Sequence, residues 1–526
     1  MSSVAMSNCL LAELERASAF PSHVTFATPS GETKTTFAEI WELSGLAATA
    51  ISTFPSSRVA GMMDASLSMV ACMVGCMRAG RDFVSVPRPP HGLGADALPE
   101  HLRQILAAAG ATSMVVPAEL ANSMAAALPS LPVQSSDSLL RGPSTRRVGQ
   151  PAGALIQCSS GSTNRPKAVK LSSNAIATSV LATLDVIELG AGDVSCHWVP
   201  LSHDMGLVGG LLTSWLGCAR KPGGSPLVYH CTSPELFLAR PLGWLERCSS
   251  KRATFTTAPA FAYELVSRLI GRGRTPLELS SLRICGVGAE PISPETLRGF
   301  AAAARAYGFN ERALCPGYGL AEATLVVTLV APSEDWSTAT IRVDGRDAEY
   351  VSCGRPIACV EVQAPSSECS PGRIMIRGPA LGEVAQQSDQ PGWYDTRDVG
   401  VVSNGELFVT GRADDLLLVG GQGLHAWEIE RIANACAGVR WGSAVAVADG
   451  FGRYTVLFEA PRVQVSPEAC FGIRRALVSA LGIGPAAVGC LPRGFVPKTP
   501  SGKIRRSLIR DDLKRFVTAC RQYEEY

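Results

Sequence analysis

No apolar stretch in the chain is long enough to cross a bilayer. The most apolar early segment, Ser66 to Met77, falls well short of the roughly 20 residues a membrane helix needs. The N-terminus lacks a basic stretch followed by a continuous apolar one, so no secretion signal is read, and a soluble, cytoplasmic protein without integral membrane association is expected. The seventeen cysteines include no CxxC pair and no repeated spacing, which argues against a zinc site or a disulfide framework; thiols used as small core residues suit a reducing compartment. An excess of one charge is missing too. Lys and Arg total 48 against 46 Asp and Glu, and a net charge of +2 gives no field for nucleic acid or an anionic membrane as main partner. No repeat of fixed period and no long low-complexity tract is found in the 526 residues, a length too great for one ordinary core.

Apolar strand-like runs alternate with helical stretches over most of the chain, at 58–63, 82–86, 113–117, 253–257 and 282–288, with a small-residue helix at 66–79. Such alternation predicts α/β layers around mostly parallel sheets. The Ser- and Arg-rich segment 134–150 reads as an exposed connection. From Asn404-Gly405 the pattern changes to short strands around a charged turn, then a helix starting at Trp427, as in a compact α+β unit from about 415 onward.

The most informative stretch is Cys158-Ser159-Ser160-Gly161-Ser162-Thr163-Asn164-Arg165-Pro166-Lys167, entered from the apolar Leu155-Ile156. Small residues let backbone N–H groups converge, hydroxyls add donors, and a lysine supplies positive charge, which together suit a phosphate. It is not a Walker A loop, because Lys167 is followed by strand-like Ala168-Val169-Lys170-Leu171 and the helix signal starts only at Ser172. Strand, loop, strand, helix is not the order of kinases or GTPases.

Four further segments follow in order: Trp198-Val199-Pro200-Leu201-Ser202-His203-Asp204-Met205-Gly206-Leu207; Gly317-Tyr318-Gly319-Leu320-Ala321-Glu322-Ala323-Thr324; Trp393 to Asp398 with Thr410-Gly411-Arg412; and Pro497-Lys498-Thr499-Pro500-Ser501-Gly502-Lys503. Together with the first loop they resemble the motifs of the adenylate-forming, acyl-activating enzymes, over nearly the whole chain. The resemblance implies an N-terminal adenylation domain, 1–413, of layered mostly parallel sheets with helices and a β-rich subdomain. It also implies a small mobile α+β domain, 414–526, hinged at Asp414. Ser159, Ser160, Gly161, Ser162, Thr163 and Lys167 would cradle the triphosphate of ATP. Gly288-Ala289-Glu290 would line one side of adenine, and Tyr318, with Gly319 and Ala321, the other. Asp398 would accept the ribose hydroxyls with Arg412 beside it, and Glu322 would hold Mg²⁺. Lys503 would be the catalytic lysine, whereas Arg505 and Arg506 read as a solvated basic tail. His203 would gate an acyl pocket shared by Met205, Gly206, Val208 and Gly210.

Within that superfamily the chain resembles the fatty-acyl-AMP ligases, through Gln157, His203 to Leu207, Phe237 to Leu245, Ala258 to Leu265, and Ala321 to Thr324. The branch implies a carboxylic acid substrate and an acyl carrier protein as acceptor, in lipid, polyketide or nonribosomal peptide biosynthesis. Three departures stand out. Asn164 and Arg397 replace the family's usual glycines, and the connection Asp335 to Tyr350 is short where those ligases carry an insertion that disfavours coenzyme A. Two alternatives therefore stay open: an acyl-CoA synthetase using coenzyme A, and a degenerate nucleotide-binding scaffold.

Overall fold

The computed structural model describes residues 9–88, 97–142, 152–160, 166–271, 276–343, 345–365, 371–383, 390–419, 422–449, 452–461, 468–498 and 504–526. Its first layer is a sheet in the order Arg355–Pro356, Val326–Leu329, Leu314–Gly319, Ile284–Gly288, Phe255–Pro259, Val194–His197, Leu227–Thr232, Ser22–Thr28, Gly31–Thr35. The central pairings are parallel and the outer ones antiparallel. A second sheet runs Val133–Ser135, Ser113–Val116, Arg58–Met63, Asp82–Pro87, Leu155–Ser160, Pro166–Leu171, parallel except for its last pair. Strands covered on both faces need side chains that tolerate burial throughout. Phe83, Val84 and Val86 are accordingly closed to solvent.

Between the sheets, helices begin where a hydroxyl can accept a free backbone N–H. Ser66 caps Leu67–Arg78, Ser172 caps Ser173–Ile187, and Thr36 forms a capping box with Glu39 at Phe37–Ser52. The small-residue helix packs closely: a Cβ on Gly75 would stand 2.6 Å from that of Ala47. The strands Leu155–Ser160 and Pro166–Leu171 that flank the phosphate-type loop and the helix Ser173–Ile187 follow in the expected order, the loop residues 161–165 lying outside the described ones. The segment 134–150 is less simple than expected, since Gln134 and Ser135 extend an edge strand and Ser136 is fully buried. Its backbone completes the sheet edge, which composition alone does not reveal.

A four-stranded antiparallel sheet, Glu361–Gln363, Gly372–Arg377, Tyr394–Ser403, Glu406–Arg412, supplies the β-rich part. Beyond it, the hairpin Leu416–Val419/Gln422–His425 leads to helix Ala426–Asn434. The sheet Val445–Ala448, Tyr454–Glu459, Ala487–Leu491, Gln522–Glu525 follows, with helix Ala469–Leu481 packed against it. This C-terminal lobe has its own apolar core, running from Leu417 to Cys490. The fold is the mixed α/β one expected from the sequence. No helix among the described residues is long and apolar enough to cross a membrane.

Candidate active site

The strands Ile284–Gly288 and Leu314–Gly319 end at a cleft of about 2830 Å³, where parallel sheets commonly place their ligands. That space is several times what a single small ligand needs. Its walls come from both lobes.

Two charged clusters stand in it. In the first, Lys167 Nζ donates to Glu322 Oε1 at 3.0 Å and to the Tyr394 hydroxyl at 3.0 Å, and that hydroxyl donates to Glu322 Oε1 at 3.2 Å. Burial works against the Lys167 ammonium, but Tyr394 and Glu322 outweigh it and raise its pKa, so the lysine is charged at neutral pH. In the second, the Tyr318 hydroxyl donates to Asp398 Oδ2 at 2.6 Å, and Arg412 Nε lies 3.4 Å from Asp398 Oδ1. Asp398 and Arg412 face each other across an antiparallel pair, which fixes their approach. Burial and then Asp398 push the Tyr318 phenol well above its ordinary pKa, so it remains a donor.

Backbone strain gathers around the same cleft. Ala289 and Arg397, both in its wall, hold φ of +64° and +63°, and Thr324 beside Glu322 holds +68°. Left-handed backbone disfavours non-glycine residues, and such positions cluster at functional sites. Arg397 sends its guanidinium to within 3.7 Å of Asp414, which lies in the turn Ala413–Asp415. Gly288, Glu290, Gly319 and Ala321 also line the cleft. Glu290 accepts the backbone N–H of Phe261.

A family profile described as AMP-binding enzyme matches residues 14–384. The chain belongs to the AMP-binding enzymes. Similar proteins include the medium-chain-fatty-acid–[acyl-carrier-protein] ligase JamA of Moorena producens, 30% identical over 68% of this chain and 67% of that protein. Another is the long-chain-fatty-acid–AMP ligase FadD26 of Mycobacterium marinum, 30% identical over 86% of each chain. Among solved structures, one from a study of fatty acyl-adenylate ligases of E. coli and L. pneumophila superposes with a TM-score of 0.85 at 26% identity, over 97% of this chain and 98% of that one.

In this AMP-binding enzyme the apolar part of the cleft forms around the π-helix Met205–Leu212, all of it buried. His203 Nδ1 stands 2.5 Å from Asp204 Oδ1. The Met205 backbone N–H lies between them, donating to Asp204 Oδ1 at 2.7 Å and toward His203 Nδ1 at 3.3 Å. His203 and Met205 line the cleft, but Gly206, Val208 and Gly210 do not. A Cβ on Gly206 would stand 2.3 Å from the Pro200 carbonyl oxygen, Val208 sits in the main core, and Gly210 lies over His197. Gly209 lines the cleft instead. Tyr394 was not anticipated either, although it stands inside the Trp393 to Asp398 motif.

The C-terminal lobe of the AMP-binding enzyme brings Pro497, Lys498, Ile504 and Arg505 to the cleft. Lys498 and Ile504 form a β-bridge, and Arg505 N–H donates to Pro497 O at 2.9 Å, so the two ends of the connecting loop are tied together. Lys503, like Gly161, Ser162 and Thr163, lies outside the described residues, and only the backbone of Ser159 and Ser160 is described. Arg506 is not a solvated tail residue. Glu430 holds it through two nitrogens and Asp415 lies at 2.7 Å, and the two carboxylates raise its pKa against the effect of burial.

Proposed function

We propose that the protein activates a fatty or related carboxylic acid with ATP and passes the acyl group to the phosphopantetheine thiol of an acyl carrier protein. The observation that carries this reading is the convergence of Lys167, Glu322, Tyr318, Asp398 and Arg412 with the tied ends of the Lys503 loop on one cleft. In the first step a carboxylate oxygen attacks the α-phosphorus, the bond to pyrophosphate breaks, and an acyl-adenylate forms. In the second, a thiol sulfur attacks the acyl carbonyl and AMP leaves with the bonding pair.

One anion attacking another requires charge neutralisation at the reacting phosphate and alignment of the nucleophile. Lys167, with the hydroxyls of the preceding loop, would bind the phosphates. Asp398 and Arg412 would hold the ribose, with Tyr318 and Gly288 to Glu290 on either side of the base. Lys503 would bridge the carboxylate and the α-phosphate. Among the described residues no cage of three metal-binding side chains exists. Glu322, a hard carboxylate oxygen donor in the cleft, would hold Mg²⁺, and the ion would supply further neutralisation of phosphate charge. The turn at Asp414 would be the hinge between 1–413 and 414–526, about which the smaller lobe turns after the first step.

A second acceptor, coenzyme A, is favoured by the short connection Asp335 to Tyr350, most of whose described residues belong to the hairpin Thr338–Val343/Arg346–Val351. Pyrophosphate release across acids of graded length, followed by mass spectrometry of carrier protein and coenzyme A offered together, separates the readings. Acylated carrier is expected. Acyl-CoA as the sole product would move the protein to the synthetases, and ATP binding without pyrophosphate release for any acid would leave a nucleotide-binding scaffold.

A further inference from the structure

Besides Trp427, whose indole N–H donates to the Thr410 carbonyl, a second aromatic residue of the C-terminal lobe crosses to the N-terminal lobe beside the cleft. Trp441 packs its ring against Phe261 at a centroid distance of 5.9 Å, and its indole N–H donates to Glu264 Oε1 at 3.2 Å. Both partners sit on helix Ala260–Leu269. The first turn of that helix is itself fixed from the adenine-side segment, because Glu290 accepts the Phe261 backbone N–H. On the other side of Trp441, the carbonyl of Gly442 accepts a hydrogen bond from Lys498 Nζ at 2.6 Å. Lys498 forms one end of the bridge that closes the loop before Ile504.

A continuous set of contacts therefore runs from Glu290 through Phe261 and Trp441 to Lys498. Burial and then the nearby Arg440 lower the Lys498 pKa, so the Gly442 carbonyl is an important compensating partner for its ammonium. Aromatic anchors of this kind carry a disproportionate share of the energy at interfaces. The ion pair from helix Ala426–Asn434 to the helix Pro294–Arg305, Arg431 to Glu295, is looser at 3.7 Å and largely exposed.

We infer that Trp441 is a positioning residue, docking the C-terminal lobe on helix Ala260–Leu269 so that the Lys498–Ile504 bridge is held at the cleft during adenylation. This rests on the adenylation reading above. It follows that the contact breaks when the lobe turns for thiol transfer, so its loss should slow the first half-reaction and spare the second.

The test measures the two half-reactions separately on the full chain. Acid-dependent pyrophosphate release uses the best acid of a saturated series, and transfer uses the corresponding preformed acyl-adenylate with pantetheine as the thiol. Trp441→Ala should lower kcat for pyrophosphate release by roughly tenfold with little change in KM for ATP, and leave transfer within about twofold of the parent. Trp441→Phe, which keeps the ring and loses the indole N–H, should recover a large part of the rate. Glu264→Ala, made on the opposite lobe, should slow the first step several-fold and serves where the Trp441 variant does not fold.

Equal slowing of both half-reactions, or no slowing in either Trp441→Ala or Glu264→Ala, would overturn the inference. Absence of pyrophosphate release by the parent enzyme with every acid would instead overturn the adenylation reading itself.

Discussion

At one end of the cleft, Lys167, Glu322 and Tyr394 interlock, as do Tyr318, Asp398 and Arg412, through contacts of 2.6 to 3.4 Å between residues far apart in the chain. At the other end, eight consecutive residues of a π-helix are buried and only some of them meet the cavity. The charged end is specified by functional groups, since an ammonium facing a carboxylate cannot be replaced by a residue of similar size. The apolar end is specified by shape. There, Gly209 lines the cleft while Gly206 and Gly210 allow the backbone to pack closely.

Substitutions that separate these two designs should differ in size and in kind. The largest effect is expected from Glu322→Gln, which keeps the shape and removes the charge facing Lys167; kcat for pyrophosphate release should fall by about 10²-fold or more with the melting temperature nearly unchanged. Next, Gly206→Ala forces a methyl group against the Val199 and Pro200 carbonyls, at 2.5 and 2.3 Å, and should destabilise the fold by about 1–3 kcal/mol in denaturant titration. Gly209→Val meets mainly the flexible end of Leu325, at 2.8 Å, so it should fold but lose activity on longer acids more than on shorter ones, by roughly tenfold in the kcat/KM ratio. If Gly206→Ala shifted chain-length preference and Gly209→Val did not, the assignment of the two glycines would be reversed.

The smallest effect concerns Glu349, away from the cleft. Arg298 and then Thr338 hold its carboxylate at about 2, below the ordinary 4.5. Because the folded-state value is the lower one, its contribution to stability is full above about 4.5 and fades as pH falls toward about 2. Solvent screens this exposed pair, so Glu349→Gln should change acid stability by only a few tenths of a kcal/mol, read from melts between those pH values.

The same contrast explains what could be read from the sequence. Continuous apolar runs bounded by capping hydroxyls mark parallel strands and their helices, because double-sided burial and N-cap chemistry leave composition signals at Phe83 to Val86, Ser66 and Ser172. That Glu322, Asp398 and Arg412 share one cleft was legible for a similar reason: they stand in motifs whose chemistry is tied to residue type. Gly206, Val208 and Gly210 were misplaced because every residue of Met205–Leu212 is buried, and burial does not say which of them meets the cavity. The i→i+5 winding also matters, since it keeps residues four apart, Met205 and Gly209, more nearly aligned while turning Val208 away. Tyr394 and Trp441 escaped because a lone aromatic residue gives no sequence sign of a partner far away along the chain.

The account depends on the cleft making the α-phosphorus of ATP attackable by a carboxylate. The direct measurement is exchange of labelled pyrophosphate into ATP, with and without a fatty acid. Exchange that requires the acid, is abolished by Asp398→Asn and leaves AMP rather than ADP as the nucleotide product is the predicted result; acid-independent exchange, or hydrolysis to ADP and phosphate, would contradict it.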